Sequence, residues 1–93
     1  MSITEETRRE SYEKLDDATL NRKIINILDG GVKMTGREIA VVMFAKNYIP
    51  YPVRQAVAPR LTELEADGVI EVCGKAYDSI TRRNVAVYRL VTE

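Results

Sequence analysis

Residues 57–71 read Val-Ala-Pro-Arg-Leu-Thr-Glu-Leu-Glu-Ala-Asp-Gly-Val-Ile-Glu, and the spacing of their apolar residues changes at a single glycine. Before Gly68, Leu61 and Leu64 recur at the spacing of one helical face. After Gly68 the sequence becomes rich in β-branched residues that alternate with polar ones, which is typical of a strand. The stretch therefore predicts a helix that ends at Gly68 and leads directly into the first strand of a hairpin.

Two starting points for this helix fit the sequence. The helix begins either at Pro52 with a kink at Pro59, or at Pro59 itself, since proline is favoured at the first helical position. Ala58 would be a poor cap for the second start. Val53 and Val57 extend the apolar face back towards Pro52, so the pattern favours the first.

Two more helices are predicted upstream. The first spans residues 17–29, where apolar side chains recur at i, i+4 and i+7, and Asp17 is its expected cap. The second starts at Thr35, because Thr35 and Glu38 have the spacing of a capping box, and it is expected to end near residue 46.

A hairpin is predicted downstream. Residues 69–73 and 85–91 have the alternation of strands, and residues 74–84 form a long polar tip between them. Helices followed by a hairpin make an α+β domain. The residues expected to face the core are Ile70, Val72, Ala86, Tyr88 and Leu90.

The chain of 93 residues has room for one domain, predicted at residues 16–93. Residues 1–15 are strongly polar and form either a helix or an arm in front of it. This segment is either solvated or packs on a second subunit.

Composition excludes several classes of function. The chain has no His, which is the commonest general base and metal ligand, and its one Cys allows no internal disulfide and no cysteine-based zinc site. No nucleophile–base pair or phosphate loop is visible. We therefore expect no enzymatic activity, no cofactor, no metal and no small-molecule substrate.

The sequence also bears on localisation. No apolar run approaches the roughly 18 residues of a membrane span. The N-terminal residues lack the apolar segment of a signal peptide. We expect a cytoplasmic protein that does not interact with membranes.

Three segments resemble the winged helix-turn-helix DNA-binding family. Residues 57–71 are similar to its recognition helix and first wing strand, and residues 78–90 to its wing tip and returning strand. The stretch Met34-Thr-Gly-Arg-Glu-Ile-Ala40 looks like the start of its first helix-turn-helix helix. At the wing tip, Thr81-Arg82-Arg83 stands where the family often carries Thr-Gly-Arg. The resemblance covers about residues 17–91 and is shared with small phage or prophage regulators and, more distantly, MarR-like repressors.

The resemblance implies a winged helix-turn-helix fold, with three core helices, a β-hairpin wing and an extra N-terminal helix or arm. It implies a sequence-specific DNA-binding protein, namely a transcriptional regulator such as a repressor or phage control protein. Such proteins bind double-stranded DNA as homodimers, with the recognition helix in the major groove and the wing on the backbone.

Charge in the sequence is segregated in a way that fits this expectation. The 14 Lys and Arg residues balance 14 Asp and Glu, yet no acid occurs between Ile39 and Thr62. We assign Lys46, Arg82 and Arg83 to phosphates, and Arg54, Gln55 and Thr62 to base edges. Arg60 is expected to hold a phosphate or an internal carboxylate, and Lys75 adds charge to the wing.

A second interpretation stays open, in which the winged helix is a protein–protein interaction module that does not bind DNA. A fold alone does not determine function, and the zero net charge and the acidic N-terminal arm favour this interpretation. It predicts no salt-sensitive binding to nucleic acid and an apolar patch where the recognition helix would otherwise be basic.

Overall fold

The computed structural model of the protein describes residues 15–91, which form an α+β domain of three helices and a three-stranded antiparallel sheet. Of the arm predicted over residues 1–15, with its expected role in a dimer, all but Leu15 lies outside the described residues. In chain order the elements are α1 (Asp17–Leu28), β1 (Met34–Thr35), α2 (Gly36–Ala45), a 3₁₀ turn (Arg54–Ala56), α3 (Ala58–Ala66), β2 (Ile70–Asp78) and β3 (Arg83–Leu90).

One apolar core lies between the three helices and the sheet. Each helix contributes side chains from one face, and the sheet contributes one residue from each strand of the hairpin. Full burial of one such side chain stabilises the fold by about 1.5–3 kcal/mol. The core residues are Ile24 and Leu28 of α1, Ile39, Ala40 and Met43 of α2, Ile49 and Val57 of the connector, Leu61 and Leu64 of α3, and Ile70 and Tyr88 of the hairpin.

Local capping chemistry determines where α1 and α2 begin. The cap of α1 is Asp16 and not the predicted Asp17, because the Asp16 Oδ1 accepts the Thr19 N–H at 2.7 Å. Hydrogen bonds from the side chain and the backbone of Thr19 lower the pKa of the Asp16 carboxyl. The capping box of α2 is confirmed: the Glu38 N–H donates to Thr35 Oγ1 at 3.2 Å, and the Thr35 N–H donates to Glu38 Oε1 at 2.9 Å.

The start of α3 differs from the one that the sequence favoured. The helix begins at Ala58 with Pro59 in its first turn, after a separate 3₁₀ turn at Arg54–Ala56. A continuous helix from Pro52 was wrong, since a proline inside a helix removes a hydrogen bond and clashes with the carbonyl four residues earlier. At the start of α3 the missing N–H costs nothing. Val53 consequently leaves the apolar face and is 39% exposed.

Glycine and asparagine terminate helices α2 and α3. Gly68 has a φ of 76°, and the Val69 N–H donates to the Leu64 carbonyl at 2.9 Å, which closes α3 in a Schellman motif and confirms the predicted stop. Asn47, with a φ of 61°, closes α2 in the same way. Asparagine is one of the few residues besides glycine that adopt this conformation readily.

The hairpin is longer than predicted. Strands β2 and β3 include most of the segment 74–84 that was expected to be a polar tip, and only residues 79–82 form the turn. This error has a physical reason: residues 74–78 lie beyond the core, so their pairing needs backbone hydrogen bonds but no apolar alternation. The pairing register shifts between Val72 and Gly74, which marks a β-bulge.

Most of the residues predicted to face the core from the hairpin do so. Ile70 and Tyr88 are buried, and Ala86 and Leu90 pack against the core. Val72 is the exception: it is 45% exposed and immediately precedes the bulge, where a strand bends and its side chains are re-aimed.

Strand β1 was not predicted, because two residues are too short to show alternation. It pairs with β3 through Met34↔Tyr88 and Thr35↔Val87, which gives the strand order β1-β3-β2. The N-terminus of α2 follows β1 without a linker. It is therefore held beside the central strand of the sheet.

The turn of the hairpin contains a residue in a strained conformation. Arg82 has a φ of 57°, in the left-handed region that favours glycine. We expect Arg82→Gly to raise the stability by about 1 kcal/mol, because glycine relieves the strain. In thermal denaturation this corresponds to a Tm increase of about 4–8 °C.

Arg83→Gly is the matched control, since it removes the same charge from the neighbouring residue within β3. It should lower the Tm, because glycine weakens a strand. Equal changes in Tm for the two variants would contradict the assignment of strain to Arg82.

Candidate nucleic-acid interface

A cleft with a volume of about 730 Å³ separates the start of α2 and the 3₁₀ turn from the hairpin. Gly36, Arg37, Arg54 and Gln55 line one side of it. The hairpin side includes Asp78, Thr81, Arg83 and Asn84. The pairing of β1 with β3 brings the two sides together, because it places the first turn of α2 next to the hairpin.

Positive charge is in excess in this cleft. In the part of the chain that the structure describes, three arginines (Arg37, Arg54 and Arg83) line it, against a single acid, Asp78. The Asp78 carboxylate is already bound, since Arg37 Nε donates to Asp78 Oδ2 at 3.0 Å. Neither Arg54 nor Arg83 forms an ion pair with another residue of the described segment. The cleft therefore presents two guanidinium groups that have no carboxylate partner between residues 15 and 91.

Asp78 holds the turn of the hairpin and ties it to α2. Its Oδ1 accepts the Ile80 N–H at 2.9 Å, and its carbonyl accepts the Arg82 N–H at 2.7 Å. The Ile80 N–H and, next, the Arg37 guanidinium hold the pKa of the Asp78 carboxyl below its usual range. Asp78 thus adds a side-chain link between the hairpin and α2 to the backbone pairing of β1 with β3.

Arg37 was missed by the sequence analysis, although the sequence contains a weak signal for it. A cation in the first turn of a helix is opposed by the helix dipole. Arg37 is the second residue of α2, so a carboxylate elsewhere in the fold is expected to offset its charge. That partner is 41 residues away, and the sequence gives no indication of which acid it is.

The structure brings three of the eight predicted site residues to the cleft: Arg54, Gln55 and Arg83. Lys75 and Arg82 lie exposed on the hairpin but outside the cleft lining. Thr62 lies on the exposed side of α3, and its hydroxyl donates to the Ala58 carbonyl at 3.1 Å.

Lys46 and Arg60 lie apart from this group. Lys46 is the cap at the far end of α2 from Gly36, and the ten-residue helix spans about 15 Å. Arg60 Nη1 is bound to Asp17 Oδ2 at 3.0 Å and to Glu63 Oε2 at 2.6 Å, and its side chain is only 15% exposed. Of the two roles anticipated for Arg60, the structure shows a bond to internal carboxylates.

The N-terminus of α3 adds to the positive potential near the cleft. Its cap residue, Val57, makes no side-chain hydrogen bond to the helix, and the first turn contains no acid. The N–H groups at this end therefore receive no hydrogen bond from the side chain of their own cap residue. The 3₁₀ turn with Arg54 and Gln55 immediately precedes it.

Residues 15–91 contain no group of three or more His, Cys, Asp or Glu side chains that could hold a metal ion. None of the helices in this range is long and apolar enough to cross a membrane. No protein-family model matches the chain, and comparisons with curated proteins and with solved structures give no match.

The Arg37–Asp78 pair leads to a pH-dependent prediction. Asp78→Asn removes the ion pair with Arg37 but leaves an oxygen that can accept the Ile80 N–H, so the variant should fold with a lower Tm than the wild type. Because the folded-state pKa of Asp78 is depressed, its contribution is complete above the unfolded value and is lost as pH falls through the folded one.

Thermal denaturation between pH 7 and pH 2 measures this effect. The difference in Tm between the wild type and Asp78→Asn should be constant down to about pH 4 and shrink below it. A difference that persists unchanged at the lowest pH would show that the charge of Asp78 does not stabilise the hairpin.

Proposed function

We propose that this protein is a winged helix-turn-helix protein that binds double-stranded DNA. In this proposal α2 and α3 are the helix-turn-helix pair, α3 is the recognition helix, and the β2–β3 hairpin is the wing. The three helices and the antiparallel sheet are compatible with that fold. The order of the elements supports it, since the helices precede the hairpin as the sequence resemblance implies.

The observation that carries the proposal is the excess of positive charge in the cleft. Arg54 and Arg83 come from two separate elements and lack carboxylate partners within the described residues. Duplex DNA carries one negative charge for about every 1.7 Å of its axis, so its backbone is a suitable counter-charge for such a surface. A neutral protein can bind it when its positive charge is gathered on one face.

The distribution of acids agrees with this orientation. Glu63, Glu65 and Asp67 all lie towards the C-terminal end of α3, whereas the cleft is at its N-terminal end. In helix-turn-helix proteins the N-terminal residues of the recognition helix contact the bases. The acids would thus be directed away from the phosphates.

Distinct roles follow for the remaining site residues. Gln55 and Thr62 are exposed at the 3₁₀ turn and on α3, where they are available to base edges. Lys75, Arg82 and Arg83 supply the wing with positive charges that contact the DNA backbone.

We further propose that the protein is a transcriptional regulator of the phage or prophage type that acts in the cytoplasm as a homodimer. The N-terminal arm is its candidate interface.

An interaction module without DNA binding is the alternative, and it predicts an apolar patch on the recognition helix. Within residues 15–91 the large apolar side chains that are exposed lie elsewhere, namely on α2, the connector, the hairpin and Val91. The exposed side of α3 carries Thr62, Glu63 and Glu65 instead. The structure thus offers this alternative less support than it offers DNA binding.

Fluorescence anisotropy with a mixed-sequence DNA duplex tests the proposal. The affinity should fall about 10- to 100-fold between about 50 and 200 mM salt, as expected for a few phosphate contacts. Arg83→Gln should weaken binding to every duplex and reduce the slope of log K against log [salt] by about 1, because it removes one phosphate contact.

Arg22→Gln is the matched control, since it removes one exposed positive charge from α1, away from the cleft. Its affinity and salt slope should equal those of the wild type. Absence of wild-type binding at about 50 mM salt would refute DNA binding. Equal effects of the two variants would refute the role of the cleft.

A further inference from the structure

We infer that Gly36 is a positioning residue for Arg54, and that Arg54 and Arg83 together clamp the phosphodiester backbone of one DNA strand. This inference rests on the proposed function and deepens it. It assigns the cleft to one part of the duplex and reassigns Arg54, which the sequence placed at a base edge, to phosphate.

The first step is the contact between Gly36 and the side chain of Arg54. A Cβ atom at residue 36 would lie 3.2 Å from Arg54 Cγ and 3.3 Å from Arg54 Nε, which is closer than ordinary van der Waals contact. The aliphatic stem of Arg54 therefore lies directly against the backbone at the start of α2. Any larger residue at position 36 would have to displace it.

The second step is that nothing in the backbone requires glycine at this position. Gly36 is the first residue of α2, and it is not among the residues with positive φ. Alanine favours helices by about 1 kcal/mol over glycine in a helix interior, so the glycine is not there for the sake of the helix. The space that it leaves is filled by Arg54 and by Leu61, whose Cδ1 would lie 3.3 Å from the same Cβ.

The third step concerns the charges around the Arg54 guanidinium. Arg83 lines the same cleft from the hairpin. Asp78, the one acid among the described lining residues, is bound to Arg37. The cleft therefore offers an anion two cationic donor groups, Arg54 and Arg83, from two separate elements. Phosphate suits this place because it accepts paired hydrogen bonds from arginine.

The fourth step identifies the phosphate as part of a DNA strand. If the N-terminal end of α3 enters the major groove and the hairpin lies on the backbone, the strand between these two contacts passes through the cleft. A guanidinium whose stem is already held by packing loses little freedom when it binds. The contact to the backbone is therefore preorganised before DNA arrives.

A double-mutant cycle tests the link between Gly36 and Arg54. Gly36→Ala, Arg54→Ala, the double variant and the wild type are compared in anisotropy titrations of several duplexes of different sequence at about 50 mM salt. Arg54→Ala should weaken binding about tenfold on every duplex and lower the salt slope by about 1. Gly36→Ala should weaken binding as well, and the double variant should bind no more weakly than Arg54→Ala alone.

The possible outcomes separate the inference from the proposed function. If the fold-losses of affinity of the two single variants multiply in the double variant, Gly36 acts through general packing, for example on Leu61. The positioning role is then refuted. If Arg54→Ala relaxes the preference for one base pair and leaves the salt slope unchanged, Arg54 contacts a base and the clamp is refuted. If the wild type binds no duplex, the proposed function itself fails.

A further variant tests the phosphate clamp even if Gly36→Ala does not fold. Thermal denaturation would reveal such a loss of folding. Arg54→Lys retains the positive charge and leaves Gly36 unchanged. For a phosphate clamp it should keep the salt slope of the wild type, in contrast to Arg54→Ala. Equal slopes for these two Arg54 variants would overturn the assignment to phosphate.

Discussion

The structure depends on Thr35, which joins the helical layer to the sheet. Thr35 pairs with Val87 as the last residue of β1, and its side chain caps α2 through reciprocal hydrogen bonds with Glu38. The residue is buried, so the polar groups of this junction are satisfied within the protein. Because the strand passes into the helix without a linker, Gly36 and Arg37 are fixed beside the hairpin. The cleft exists because of this junction.

The charges of the cleft follow from the same geometry. Arg37 is placed where it binds Asp78, and Asp78 in turn holds the turn of the hairpin. Among residues 15–91, Asp78 is the only acid that lines the cleft, and it is bound to Arg37, whereas Arg54 and Arg83 have no carboxylate partner in this range. A chain with balanced charges thus acquires a locally basic surface through the tertiary arrangement of a few side chains. The proposal of DNA binding rests on this local imbalance.

Local chemistry made part of the fold predictable from the sequence. The start of α2 was correct because a capping box acts over four residues, and the end of α3 was correct because Gly68 is suited to a left-handed conformation. For α3 the sequence left two starts open, and the structure agrees to within one residue with the less favoured one, at Pro59. The apolar spacing that favoured a longer helix included Val53, which the structure leaves partly exposed. Strand β1 and the outer part of the hairpin carry no alternation, because they are too short or lie beyond the core. The Arg37–Asp78 bond and the contact of Arg54 with Gly36 are tertiary, and neither can be inferred from spacing along the chain.

The most direct test of the account is an NMR titration that maps backbone amide shifts as a mixed-sequence duplex is added at about 50 mM salt, where phosphate contacts are strong. We expect the largest changes at residues 36–37, at 54–62 and at 75–84, with little change on the exposed side of α1 around Arg22. Changes confined to α1, or an absence of changes at the cleft under conditions in which the duplex binds, would contradict the account. The surface that meets DNA would then not be the one that Thr35 and the Arg37–Asp78 pair assemble.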